Sequence, residues 1–312
     1  MGLFKKTKNN GAWLALALQG DGIAAASVRR GDGKPAVTVA AFFAGATGAD
    51  ALEKAGRELH SADYRCTTVL GGGAYQFLTA EAPNVPREEL GTAMRWRLKD
   101  LLDFPVADAT IDVLELPPGD NAGARAQQSV FAIAARNSTI APLQQLFADA
   151  KVKLRCIDIP EMAQRNVSAL LEADGRGVAM LSFGEDGGLL TVSWRGELYL
   201  SRRIDVTLAQ LLEADHERKH QSFDKITLEL QRSLDHFERQ FSFISVAKLV
   251  LAPTGATGLE EYLSSNLYTR VESLDLGAVF DLQDAPELSE PARQQRFFVP
   301  LGAALRDEKA AA

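Results

Sequence analysis

The chain has 312 residues, 46% hydrophobic and 24% charged, an ordinary globular composition with enough apolar material for about two domains. Its 34 basic and 41 acidic residues give a formal net charge of −7, which argues against sequence-independent nucleic-acid binding, a function that relies on neutralising phosphates. The only two cysteines, Cys66 and Cys156, are distant and lack CxxC spacing, so two free thiols in a reducing compartment are expected rather than a disulfide framework.

The first feature in chain order is Gly2-Leu3-Phe4-Lys5-Lys6-Thr7-Lys8, a small basic cluster with two apolar neighbours. It reads either as a frayed, solvated terminus or as a weak contact with an anionic membrane face. The apolar run Trp13 to Leu18 follows, shorter than the roughly 20 residues of a spanning helix and too short for a signal core, so a cytoplasmic protein is expected. That run is the first of three predicted strands, with Ile23–Arg29 and Ala36–Phe43. Turn chemistry separates them, in Gln19-Gly20-Asp21-Gly22 and then in Gly31-Asp32-Gly33-Lys34-Pro35. A helix over Asp50–His60 and a buried strand Cys66–Leu70 come next. Gly71-Gly72-Gly73 then turns the chain into a strand at Tyr75–Leu78. No helix bearing Lys and Ser/Thr follows it, so it is not a P-loop.

An extra block, about Ala80 to Asp149, opens with a helix started by Pro86, with Glu88 and Glu89 facing its positive end. Leu90, Met94, Leu98 and Leu101 recur on one face as its core side, and Phe104-Pro105 ends it. Strands Thr110–Leu116 and Ser129–Ala135 flank a hairpin tip, Pro117-Pro118-Gly119-Asp120-Asn121, and a helix Ile140–Ala150 closes the block. After Gly175-Arg176-Gly177 the opening pattern restarts. Val178–Phe183, Leu189–Trp194 and Leu198–Ile204 are again three strand-like runs, followed by helix, strand and helix. A meander feeding alternating α and β, repeated once, predicts a two-lobed α/β protein.

The longest helical signal is Lys225 to Phe243, where Ile226, Leu230, Leu234, Phe237 and Phe241 form one apolar stripe, read as core ahead of a partner-docking face. His216-Glu217-Arg218-Lys219-His220 has the HExxH spacing that puts two imidazoles on one helix face in zinc proteases. Such helices are buried beside their metal, whereas here both intervening residues are cationic and the flanks Glu213, Asp215 and Gln221 are polar. The string therefore reads as a solvated linker or helix end. Asp100, Asp103, Asp108 and Asp112 are scattered over different elements, with nothing to converge them into a carboxylate pair. No Ser/His/Asp or Cys/His arrangement stands out, so catalytic residues are not expected.

Specific strings then resemble a known family. Glu81-Ala82-Pro83-Asn84-Val85-Pro86-Arg87-Glu88-Glu89-Leu90, Ala93-Met94-Arg95-Trp96-Arg97-Leu98-Lys99-Asp100, Phe104-Pro105 and Ile111-Asp112 resemble the inserted subdomain of the PilM/MshI group of type IV pilus biogenesis proteins. Cys156-Ile157-Asp158-Ile159-Pro160-Glu161 resembles that group's return strand, and Phe298-Val299-Pro300-Leu301-Gly302-Ala303-Ala304-Leu305-Arg306 its closing helix. The resemblance implies an actin-like (ribonuclease-H-like) two-lobed α/β fold with an inserted small α/β subdomain. The first lobe is expected at 1–79 and 151–175 with a closing helix at 297–312, the inserted subdomain at 80–150 and the second lobe at 176–296. It also implies docking of the cytoplasmic tail of a bitopic inner-membrane partner, PilN-like or MshJ-like, between the first lobe and the inserted subdomain. The helix Glu88–Leu102, with Leu90, Met94, Trp96 and Leu98, is the expected wall of that groove.

Actin-like ATPases hold Mg·ATP with glycine-rich turns, each needing an Asp for the hydrated metal and a Gly that lets amides approach phosphate. At the family's first turn this chain has Ala17 and Gln19, with Gly20, Asp21 and Gly22 just beyond. At the second it has Ser182-Phe183-Gly184, then Glu185, Asp186 and Gly187. The adenine glycines are replaced by Pro253-Thr254, followed by Gly255 and Gly258. All three motifs are degraded, which implies no cofactor or weak ATP·Mg binding without useful hydrolysis. The expected function is a cytoplasmic scaffold of an MSHA-type pilus platform, peripheral at the inner membrane through its partner. Two alternatives stand beside it: a working actin-like ATP switch, and a scaffold like GspL of type II secretion. The GspL reading is disfavoured by a chain ending at Ala312 without a membrane anchor.

Overall fold

The computed structural model describes residues 11–117, 129–173 and 175–307. The basic cluster at 2–8 and most of the expected hairpin tip, 118–121, lie outside the described residues.

The chain opens with the expected meander of β1 (Trp13–Gln19), β2 (Gly22–Arg29) and β3 (Ala36–Ala44), paired antiparallel. Leu14, Ala15 and Leu16 of β1 and Ile23 to Ala26 of β2 are all buried, so these strands read as continuous apolar runs rather than alternating ones. Helix α1 (Ala49–Glu58) leads to β4 (Arg65–Val69), which joins β1 in parallel. The inserted block holds β5 (Tyr75–Glu81), α2 (Arg87–Leu98), β6 (Ala109–Glu115) and β7 (Ser129–Arg136), followed by α3 (Asn137–Asp149). Its strands form an antiparallel sheet of order β5-β7-β6. Strand β8 (Leu154–Asp158) then returns to the first sheet in parallel with β4, completing the order β3-β2-β1-β4-β8, and α4 (Pro160–Ser168) follows.

The second half repeats that scheme. Strands β9 (Gly177–Gly184), β10 (Gly187–Trp194) and β11 (Glu197–Ile204) form an antiparallel meander. Short α5 (Leu208–Leu211) and long α6 (His216–Gln240) precede β12 (Val246–Leu251), which lies parallel to β9. Helix α7 (Leu259–Asn266) then connects to β13 (Val271–Ser273), giving the sheet order β11-β10-β9-β12-β13. The chain closes with α8 (Leu276–Val279) and α9 (Pro291–Ala304).

Two compact units result: Met1–Val69 with Gln144–Leu170 and Leu274–Ala312, and Leu70–Leu143 with Leu171–Ser273. Residues 274–296, expected in the second lobe, thus fall in the unit that holds the first sheet. The Val37 amide donates to the Asp281 carbonyl at 2.9 Å and the Asp281 amide to the Pro35 carbonyl at 3.0 Å. Helix α9 starts at Pro291, earlier than the expected 297, and packs on β1, β2 and α4. At the α4 crossing the backbones are so close that a Cβ on Gly302 would lie 2.3 Å from the Ala163 carbonyl oxygen. Asn166 Nδ2 donates to the Gly302 carbonyl there at 2.8 Å.

Two helices differ from expectation at their ends. Helix α2 buries Leu90, Met94 and Leu98 against Val130 and Ala132 of β7, but it stops at Leu98, so Leu101 leaves the apolar register and is 53% exposed. Helix α6 begins at His216, well before Lys225, because the Asp215 side chain caps it by accepting from the amides of Glu217 (2.9 Å) and Arg218 (3.1 Å). Its stripe of Ile226, Leu230, Leu234 and Phe237 is buried, as a core face.

Candidate functional site

The first glycine-rich turn joins β1 to β2 and contains Gly20 and Asp21, with Gly22 paired to Gln19 across the hairpin. Arg296, on α9, closes on this turn. Its Nη1 and Nη2 donate to Asp21 Oδ1 and Oδ2, both at 2.8 Å, a bidentate fork that matches the planar carboxylate. The same Nη1 donates to Gln19 Oε1 at 2.9 Å, and Gln19 Nε2 donates back to the Arg296 carbonyl at 3.1 Å. The guanidinium also lies over the Phe42 ring, 3.7 Å from its centroid. The hydrogen bond from Arg296 holds the Asp21 carboxyl below its ordinary range and, reciprocally, raises the guanidinium. Both oxygens of the only carboxylate in this turn are thus engaged by a cation from the chain itself.

The second turn, Glu185-Asp186, joins β9 to β10 between Gly184 and Gly187. Gly187 has φ +109°, and a Cβ there would lie 2.8 Å from the Ile204 carbonyl oxygen, so conformation and space both demand glycine. Asp186 turns onto the Gly71-Gly72-Gly73 stretch, where its Oδ2 accepts from the Gly72 amide at 2.7 Å. A Cβ on Gly72 would lie 2.1 Å from Nη1 of Arg203, a residue whose Nη2 donates to the Tyr75 hydroxyl. A carboxylate therefore already sits on the amide of the glycine run, with an arginine packed against the backbone beside it. The third set, Gly255 and Gly258, lies in the loop between β12 and α7, where Lys219 Nζ donates to Thr257 Oγ1 at 3.3 Å. This loop and the second turn follow the C-terminal ends of adjacent parallel strands, β12 and β9.

The four residues expected to line a partner groove separate into two faces of α2. Leu90, Met94 and Leu98 are core side chains that hold the helix on its sheet and are corrected to that role. Trp96, two positions from both Met94 and Leu98 and hence on the opposite face, is 77% exposed. The HExxH string is the solvated first turn of α6, with His220 Nδ1 hydrogen-bonded to the His216 carbonyl at 2.9 Å. Among the described residues no group of three His, Cys, Asp or Glu could hold a metal, and no helix is long and apolar enough to cross a membrane.

Arg296 and Arg203 were not found from the sequence. Arg296 stands 275 positions from Asp21, and no local pattern links them.

Two five-stranded sheets of the same strand order, each a meander extended by parallel strands, place the chain in the class of actin-like ATPase folds. It is similar to a Bacteroides thetaiotaomicron protein with an actin-like ATPase fold and unknown function (TM-score 0.50, 11% identity, covering 93% of this chain and 100% of that one). More particularly, it is similar to a chain of the PilM–PilN type IV pilus biogenesis complex, with TM-score 0.75 and 21% identity over 95% of this chain and 98% of that one. No protein-family model matches the sequence, and no curated protein matches it.

Proposed function

We propose that this chain is a scaffold of a type IV pilus assembly platform, held at the cytoplasmic face of the inner membrane by binding the cytoplasmic tail of a bitopic PilN-like partner. The observation that carries the reading is the fold match to a chain of the PilM–PilN complex along nearly the whole length of both chains. The inserted-subdomain strings, from Glu81 through Ile111-Asp112, support the same family and within it the MSHA-type branch, with an MshJ-like partner. On that subdomain Trp96 is the anchor for the tail, since a solvent-facing indole offers large apolar area at low conformational cost.

The scaffold works without nucleotide turnover in this reading. The residues present do not fit a Mg·nucleotide: Arg296 engages Asp21 in the first turn, and Asp186 takes the Gly72 amide beside the second. An anionic phosphate would have to displace one or the other. The test is fractionation of cells expressing the chain with or without its membrane partner. Sedimentation with inner membranes only when the partner's tail is present supports the proposal, and membrane recovery independent of that tail refutes it.

A further inference from the structure

The edge strands of the three sheets are not alike. Most carry charged side chains, which discourage pairing with a further strand: Glu81 in β5, Asp112 in β6, Arg155 in β8, Arg202 in β11 and Glu272 in β13. The exception is β3, which reads Ala-Val-Thr-Val-Ala-Ala-Phe-Phe-Ala over Ala36–Ala44 and carries no charge. Its start is covered by the chain itself, through an isolated parallel bridge between Ala36 and Asp281 in which the Val37 amide donates to the Asp281 carbonyl at 2.9 Å. From Thr38 to Ala44, no backbone hydrogen bond among the described residues reaches the side away from β2. Thr38 to Phe43 are all partly exposed and Ala44 is exposed.

The alternation of an antiparallel pair fixes which groups point to that open side. The Gly45 amide donates to the Asp21 carbonyl at 2.9 Å, so Phe43 and Ala41, in phase with Gly45, bond to β2. Ala44, Phe42 and Ala40 therefore turn their amides and carbonyls outward. An uncharged strand offers no ionic handle to a charged peptide, but this one complements itself. A two-fold axis through Ala41 sets Ala40 opposite Phe42 of a second copy and Val39 opposite Phe43, with no like charges in register. Ala40 and Phe42 both belong to the outward set, so their backbone groups meet in that register. Gly45, at φ +121°, takes the chain out of the strand where a longer one would meet the second copy's bridge at Asp281.

We propose that β3 pairs antiparallel with β3 of a second copy of this chain, joining two five-stranded sheets edge to edge in a two-fold dimer. The contact is one strand pair, smaller than a standard stable interface, so it is expected to dissociate at roughly tens of micromolar. Sedimentation equilibrium of the full chain from about 1 to 200 μM tests it. The expected result is a monomer–dimer equilibrium that saturates at the dimer. Ala40→Pro should weaken it at least about tenfold, because proline there removes an outward amide and no bond within the sheet. If that variant lowers the melting temperature, Ala41→Glu serves in its place, since the two-fold axis sets its charges opposite each other. Register has its own readout: non-bonded pairs bring Cα atoms to about 4.5 Å, within disulfide reach. Ala41→Cys treated with oxidised glutathione should therefore run as a disulfide-linked dimer on a non-reducing gel, unlike the unaltered chain. A monomer at every concentration, assembly that grows past the dimer, or a dimer indifferent to these substitutions would overturn the proposal.

Discussion

Helix α2 offers a sharp separation of core from surface, because two neighbouring positions with large apolar side chains face opposite ways. Leu98 has no exposed surface and packs with Met94 against Val130 and Ala132, whereas Trp96 is 77% exposed. Truncating a fully buried leucine removes its transfer free energy and leaves a cavity, about 2–5 kcal/mol for Leu98→Ala. A protein has only about 5–15 kcal/mol in hand, so this is a large share of the whole. Trp96→Ala leaves no cavity and should change stability by no more than about 0.5 kcal/mol. Urea denaturation followed by far-ultraviolet circular dichroism reads both. The Leu98→Ala midpoint should fall clearly, with its early loss in the inserted subdomain, while Trp96→Ala overlays the unaltered chain. Equal destabilisation by the two substitutions would refute the assignment of faces, and with it the use of Trp96 as a free anchor.

Gly302→Ala should destabilise by about 1–3 kcal/mol or more, because the added methyl meets the carbonyl backbone of Ala163 on α4 rather than a side chain that can rotate away; thermal melting measures it. The Asp21–Arg296 pair has a defined pH signature. The native carboxyl lies below its unfolded value of about 3.8, so the pair stabilises above that pH and the contribution is lost as pH falls through the native value. Asp21→Asn should therefore melt below the unaltered chain at pH 7, and the two should converge under strongly acidic conditions. A gap that persists in acid would contradict this. Burial pushes the Cys66 thiol up to about 11, so native protein treated with iodoacetamide at pH 8 should be alkylated at the half-buried Cys156 and not at Cys66. Mass spectrometry should find both labelled after unfolding.

The repeated meander was legible because its strands are short apolar runs punctuated by Gly-Asp turns, a signal that survives without tertiary information. Helix cores were legible in their interiors and not at their ends. Leu101 fits the spacing of Leu90, Met94 and Leu98, but spacing cannot tell that the helix stops at Leu98. The start of α6 was written in Asp215, a capping residue type whose signal is overlaid by the charged HExxH spacing that follows it. The expected site suffered from a different limit. Glycines mark a turn, but what fills the turn comes from afar: Arg296 reaches Asp21 from α9, and Asp186 reaches Gly72 from another hairpin.

The most direct test is calorimetric titration of a synthetic peptide of the partner's cytoplasmic tail into the full chain, without nucleotide, alongside Trp96→Ala. Saturable binding at tens of micromolar or tighter is expected, with the variant weakened by about tenfold or more while its melting temperature is unchanged. Absence of binding in that range, or binding that appears only when Mg·ATP is added, would contradict a nucleotide-independent scaffold.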